Sequence, residues 1–350
     1  MSTVSEELSQ PRGADPVSAE GLNPVFPSGV APTLAAWPGV RADILGRWQL
    51  ILGEPEAEEI PVEARQVRTY TLPEGVAEEY LLPTSGSSLQ RVALWRPLKP
   101  LYERSPVALV PFYNPDLMMG YDLGTLAPQD APTIHFGRHL VQQGYVVLCG
   151  QAFPYNTVPD PGTGVAFDWW RAAAGDLLRR HPRWTGMGRL IRDTRIATDF
   201  LLAQPGIDPE RVVIVGHSLG GKMAFYNGCL DGRIKAIVAS DFGIGFSFTN
   251  WQDPWYLGAQ VSRPDLPARH HELLAAACPT AFLLLAGECD GPASWPYINA
   301  ARVAYALHGR ATALGLLDHA SGHRPPASAV RTAYRWLAEQ FGLPDQPYHL

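Results

Sequence analysis

Arg211-Val212-Val213-Ile214-Val215-Gly216-His217-Ser218-Leu219-Gly220-Gly221-Lys222 contains a strand, a sharp turn and the start of a helix. Val212–Val215 is a short apolar run of β-branched residues, the pattern of a strand buried on both faces. Leu219–Leu230 reads as a helix. Ser218 falls between the two, where its backbone must strain to lift the hydroxyl out of the turn. Gly216 and Gly220 are then needed because side chains there would meet the crossing chain, and Gly221 lets helix and strand pack closely. The bare Gly-x-Ser-x-Gly string is expected by chance about 0.14 times in a chain of this composition, so the string alone carries little. A strand before it and a helix after it make Ser218 a candidate nucleophile. The same helix start puts the Leu219 amide where a developing oxyanion needs a donor.

Outward from this stretch, strand and helix patterns alternate. Tyr145–Leu148, Ala236–Ala239, Ala281–Leu285 and Ala313–Leu317 are further short apolar runs. Helical spacing covers Ile134–Gln143, Leu190–Leu202, Tyr297–Leu307 and Ala327–Phe341. Such alternation predicts an α/β fold with a mostly parallel sheet flanked by helices on both faces. Before it, Gln66–Leu72, Val76–Leu82, Leu89–Trp95 and Val107–Phe112 are separated by turn clusters and predict antiparallel strands at the N-terminal edge of the sheet. A helix is expected over Arg41–Leu52. Residues 1–36, rich in Pro, Gly, Ser and Ala, are expected to be a flexible arm, and 37–350 a single domain. Segments 151–187 and 243–271 break the rhythm and hold Trp169, Trp170, Trp184, Trp251 and Trp255, half of the ten tryptophans. They follow strand ends, where open α/β sheets bind ligands, so they are candidate pocket walls or a partial cap; simple packing of long loops is the competing reading.

Composition excludes several classes. Charged residues are 18% and hydrophobic ones 46% of 350, a globular balance. A net charge of −6 without a Lys/Arg cluster gives no footprint for nucleic acid or a membrane surface. The four cysteines form no Cys-x-x-Cys pair and read as free thiols. Neither a basic-plus-apolar leader nor a run long enough to span a bilayer is visible, so a cytoplasmic location is expected. Oligomeric state leaves no signal in the sequence. His135 and His139 are four apart on a helix but lack a third ligand, so no metal is expected.

A serine nucleophile requires a base, and the base an orienting carboxylate, in the chain order Ser, acid, His. Asp290 follows the Ala281–Leu285 run and is the expected acid, with Asp241 and Glu288 as rivals. His323 follows the last strand and is the expected base, with His319 as rival. The second oxyanion donor should be a backbone amide in Pro111-Phe112-Tyr113-Asn114-Pro115; Pro111 has none, which favours Tyr113 over Phe112.

These motifs resemble the acetyl xylan esterase and dienelactone-hydrolase-like branch of the α/β-hydrolases. The resemblance rests on Val110-Pro111-Phe112-Tyr113, Gly137-Arg138-His139-Leu140 with Gly144-Tyr145, Gly206–Arg211, Gly216–Gly221, Asp231–Ala236 and Gly322–Pro326. It implies a Ser218, Asp290, His323 triad, no metal or organic cofactor, and a small-molecule ester as substrate. Phe112, His217, Trp251, Trp255 and Tyr256 would line the substrate pocket. The chain departs from many hydrolases of this fold in having Pro111-Phe112 in place of His-Gly. It also carries serine where dienelactone hydrolases use cysteine, which favours ordinary esters. Lactone, amide or C–C cleavage and acyl transfer remain alternatives on the same fold. A non-catalytic ligand-binding scaffold is the alternative from another class.

Overall fold

The computed structural model describes residues 2–13, 15–18, 21–54, 63–85, 88–157 and 166–350. Nine strands, β1 (Arg65–Leu72), β2 (Gly75–Ser85), β3 (Ser88–Pro97), β4 (Ser105–Phe112), β5 (Val146–Gln151), β6 (Ile207–His217), β7 (Ala236–Ser240), β8 (Ala281–Ala286) and β9 (Leu314–Asp318), form one sheet among the described residues. The helices are α1 (Val4–Leu8), α2 (Trp37–Leu52), α3 (Pro115–Met119), α4 (Phe136–Gln142), α5 (Ala166–Arg180), α6 (Gly186–Leu202), α7 (Leu219–Leu230), α8 (His270–Ala276), α9 (Trp295–Leu307) and α10 (Ala327–Phe341).

The strand order is β1-β2-β3-β5-β4-β6-β7-β8-β9. β1, β2, β3 and β5 pair antiparallel, and every pair from β5 through β4 to β9 is parallel. The connection from β4 to β5 runs one way across the sheet and that from β5 to β6 the other, so right-handed crossovers put α4 and α6 on opposite faces. A hydrogen bond of 3.0 Å between His139 Nδ1 and the Tyr334 hydroxyl joins α4 to α10 on one face. On the other, α6 packs on α7. The inner strands β4, β7 and β8 are buried throughout, as their unbroken apolar runs require. The chain turns from β5 back past β4 to β6, so the strand order reverses between β4 and β6, the position at whose carboxyl ends open α/β sheets bind ligands.

Besides α1, in the stretch expected to be a loose arm, the sequence missed three helices. Asn114 caps α3, its side chain accepting from the Leu117 amide, and Pro115 opens the helix, a start signal that was readable. α5 lies in segment 151–187 and buries Trp169, Trp170, Ala173, Ala174 and Leu177, again at helical spacing. Residues 158–165 of that segment lie outside the described residues. α8 buries all of its residues, so no amphipathic stripe marks it.

Described residues of the stretch 1–36, expected to be a loose arm, are instead anchored on the domain. The Glu339 carboxylate accepts the Val4 and Ser5 amides, each at 2.9 Å, while Val4 and Leu8 are buried. Further on, Phe26 packs its ring 5.7 Å from Trp37. The four cysteines are free. No helix among the described residues is long and apolar enough to cross a membrane.

One buried charge pair on α6 joins the β2–β3 hairpin to the loop after β5. Arg189 Nε donates to Asp193 Oδ1 at 2.7 Å, and Arg189 also donates to Thr84 and Ser88 at the β2–β3 end. Asn156, in the loop after β5, donates to Asp193 at 2.7 Å. Removing one partner strands the other charge in the core, at a cost of about 3–5 kcal/mol. Asp193→Ala is therefore expected to lower the unfolding free energy by that order in a urea titration, with Arg189→Ala costing a similar amount.

Candidate active site

Ser218 stands between β6 and α7 with φ 56° and ψ −116°, the strained conformation anticipated for the turn. The flanking glycines are enforced by contact: a Cβ on Gly216 would lie 2.0 Å from the Gly220 carbonyl oxygen, and one on Gly220 would lie 2.2 Å from the Pro111 oxygen. The Ser218 amide donates to Ser240 O at 2.8 Å, tying the turn to the end of β7. Leu219 opens α7, so its amide is among those that have no acceptor within the helix.

The next residue after β7 is Asp241. Its Oδ2 lies 2.6 Å from His323 Nδ1. A carboxylate only accepts, so the proton of this pair sits on Nδ1 and leaves Nε2 free to take another. Asp241 Oδ1 accepts the amides of Gly287, Glu288, Cys289 and Asp290 at 2.9–3.1 Å. Burial raises the Asp241 pKa, but the His323 bond and the backbone amides outweigh it, and the net shift is downward. Asp241 is thus held as the anion.

The expected Asp290–His323 pair does not form. Asp290 is buried with its carboxylate turned the other way, accepting from Gly243 N at 2.7 Å, Ile244 N at 2.8 Å and Ser294 Oγ at 2.9 Å. The loops after β7 and β8 therefore clasp each other: each carboxylate is held by amides of the opposite loop. Glu288 is exposed and meets Asp241 through its amide. His319, the rival base, bonds Ser321 Oγ at 2.9 Å. Cys289 Sγ joins Asp241 and His323 in a cluster whose ligand atoms lie within 4.8 Å of one another.

His323 titrates far above an ordinary imidazole, raised from 6.5 to about 9, first by the bond to Asp241 and then by the Cys289 side chain, against burial. His217, next to the serine, behaves oppositely. Its ring lies 4.5 Å from that of His323, its Nδ1 meets Ser240 Oγ at 3.1 Å, and burial lowers its pKa to about 3. The two neighbouring imidazoles are therefore pushed in opposite directions, His323 by its carboxylate partner and His217 by burial.

The predicted pocket residues divide. The Phe112 and Tyr113 rings meet at 4.4 Å, tilted by 50°, and Tyr113 also meets Tyr155 and the α5 residue Trp170 at 5.8 and 5.1 Å. Trp170 continues to Trp255 at 5.4 Å, and the Met187 amide donates to Tyr256 O at 2.9 Å. Segments 151–187 and 243–271 are thus packed on one another. Trp251 is wholly buried and donates to Gly243 O at 2.7 Å, a brace for the loop after β7. Sequence reasoning overlooked Lys222. Its ammonium lies 4.9 Å from the Trp251 ring and 4.7 Å from the Tyr256 ring, and burial lowers its pKa to about 8.

The solved structures with similar architecture include a glucuronoyl esterase from Solibacter usitatus, with a TM-score of 0.70, 16% identity, and coverage of 93% of this chain and 99% of that one. Acetyl xylan esterase 1 from Thermoanaerobacterium sp. JW/SL YS485 superposes with a TM-score of 0.52 at 14% identity, covering 85% of this chain and 94% of that one. The chain has the α/β-hydrolase fold. Its residues 131–252 match the dienelactone hydrolase family, a stretch that takes in Ser218 and Asp241 and ends before Asp290 and His323. Among curated proteins, polyketide transferase ATR5 of Stachybotrys chlorohalonatus (strain IBT 40285) is 32% identical over 111 residues. That alignment spans 31% of this chain and 35% of the relative, so only about a third of either is compared.

Within this α/β-hydrolase frame the Asp241–His323 pair makes a direct prediction. In an NMR titration of the histidine ring protons, His323 is expected to shift near pH 9 and His217 to stay neutral above pH 5. Asp241→Asn removes the main raising cause, so the His323 midpoint should fall toward about 6.5. A midpoint unmoved by that change would mean that Asp241 does not hold the ring.

Proposed function

We propose that the protein is a serine hydrolase that cleaves a small-molecule carboxylic ester through an acyl-enzyme, with Ser218 as nucleophile, His323 as base and Asp241 as the orienting acid. The observation that carries it is the 2.6 Å Asp241–His323 contact beside the strained Ser218 turn. The architecture shared with esterases and the family match across the turn support the same reading.

In this mechanism His323 Nε2 takes the Ser218 proton as Oγ bonds to the ester carbonyl carbon. Asp241 fixes the ring and stabilises the imidazolium, while its four amide donors keep it from taking the proton. The Leu219 amide, at the positive end of α7, receives the oxyanion. His323 then gives its proton to the leaving alcohol, and a water it activates releases the acid.

A panel of nitrophenyl esters of rising acyl length tests the reading. Ser218→Ala should abolish turnover while leaving the fold intact by circular dichroism. Asp241→Asn should lower kcat by about 10³–10⁴-fold. Asp290→Asn should keep most of the rate and lower Tm, because it weakens the clasp and not the base. The opposite ranking of the two aspartates would return the acid role to Asp290.

The match to a polyketide transferase favours a second reading, in which an alcohol rather than water takes the acyl group. Product analysis with added alcohols separates the two. Acylated alcohol as the main product at low acceptor concentration supports transfer, and free acid supports hydrolysis.

A further inference from the structure

The loop after β8 places a thiol beside the Asp241–His323 pair. Cys289 is the one cysteine of four that is not buried. Its Sγ, a ring nitrogen of His323 and a carboxylate oxygen of Asp241 all lie within 4.8 Å of one another. The Cys289 amide donates to Asp241 Oδ1 at 2.9 Å, and the amides of Gly287, Glu288 and Asp290 converge on the same oxygen. The loop that carries the thiol is therefore pinned to the carboxylate that holds the imidazole. Solvent reaches that imidazole, since the His323 side chain is 38% exposed.

The acyl-enzyme mechanism uses the imidazole and the carboxylate but has no task for the thiol. Sulfur, imidazole nitrogen and carboxylate oxygen on so small a triangle are the donor set of a borderline-soft divalent ion. Mg²⁺ and Ca²⁺ take oxygen ligands and have no use for the sulfur. Zinc binds sulfur at about 2.3 Å and imidazole nitrogen at about 2.0–2.1 Å, which spreads two such donors about 3.5 Å apart. Side-chain rotation at Cys289 and His323 closes the present spacing to that value.

The geometry points to a binding site for Zn²⁺ or Cd²⁺ built on Cys289 and His323, in which the ion shuts off turnover by occupying the base. A metal-bound sulfur is a thiolate, so the thiol proton leaves to the buffer; the ring supplies a lone pair, and nothing is oxidised or reduced. Through Nε2, the ion leaves Asp241 on Nδ1, in the order carboxylate, histidine, metal. Through Nδ1, it opens the 2.6 Å contact, sends the ring proton to Nε2 and gains Asp241 as a third ligand. Either way Nε2 no longer accepts the Ser218 proton. The shut-off rests on the acyl-enzyme reading above; the binding does not.

A Cd²⁺ titration of the full chain, followed by the ultraviolet charge-transfer band of the cadmium–thiolate bond, is expected to saturate at one ion per chain. Losing an outer partner of a metal ligand already costs about 10–100-fold in affinity, so losing a ligand should cost at least that. His323→Gln keeps the thiol and should weaken Cd²⁺ binding to that extent. In wild type, saturating Zn²⁺ should lower kcat for nitrophenyl acetate by about 10²–10⁴-fold, EDTA should restore it, and Mg²⁺ should have no effect. Cys289→Ser, measured against its own metal-free rate, should need at least about 10–100-fold more Zn²⁺ for the same loss. If Cd²⁺ binds His323→Gln as tightly as wild type, or if Zn²⁺ inhibits Cys289→Ser at the wild-type concentration, the ion sits elsewhere and the assignment is overturned. If Cd²⁺ binds as expected but the metal-free protein neither cleaves esters nor reacts at Ser218 with a fluorophosphonate, the site stands and the acyl-enzyme reading fails.

Discussion

The tight crossing of β6 into α7 at Ser218 sets the position of everything around it. Gly216 lies against the Gly220 carbonyl and Gly220 against the Pro111 carbonyl, so three backbone segments meet with no room for a methyl group. That contact brings the end of β4, with Pro111 and Phe112, against the turn. The Ser218 amide bound to Ser240 O fixes the end of β7 on the other side, and Asp241 follows immediately. The loop after β4 and Asp241 are therefore both located by the same turn, one strand away on either hand.

Much of this was legible in residue order because parallel strands must be apolar throughout and their connections must be helical. Val212–Val215, Ala236–Ala239 and Ala281–Leu285 announced strands, and Gly216 to Gly221 announced the turn. What the sequence could not decide was which of two aspartates faces His323. Asp241 and Asp290 both follow parallel strands, and both satisfy the chain order. Their difference is one of direction: Asp241 has a positive φ of 46° that sends its side chain toward β9, whereas Asp290 turns back to amides in the loop after β7. A backbone angle of that kind leaves no trace in residue type, since aspartate is among the residues that tolerate it.

The tryptophans of the two insertions, candidates for pocket wall, partial cap or plain loop packing, have a mixed duty in the structure. Trp170 and Trp255 join the segments and reach Tyr113, while Trp251 and Tyr256 surround the Lys222 ammonium. An aromatic residue count cannot separate these roles, because both ask for the same large, flat, weakly polar surface. The lysine was passed over for a related reason. A single Lys inside Gly-Gly-Lys-Met reads as a helix surface charge until its burial is known.

The reciprocal hold between the loops after β7 and β8 bears on how enzymes of this architecture diverge. Each loop already presents a carboxylate and a set of amides, so the partner of the histidine can change strands without either loop being built anew. Rotating one side chain toward β9 and the other away would exchange their duties. Drift between the two arrangements then crosses no gap in which the histidine lacks a carboxylate neighbour, and lineages sharing this sheet can differ in where their acid sits while keeping the serine and the histidine in place.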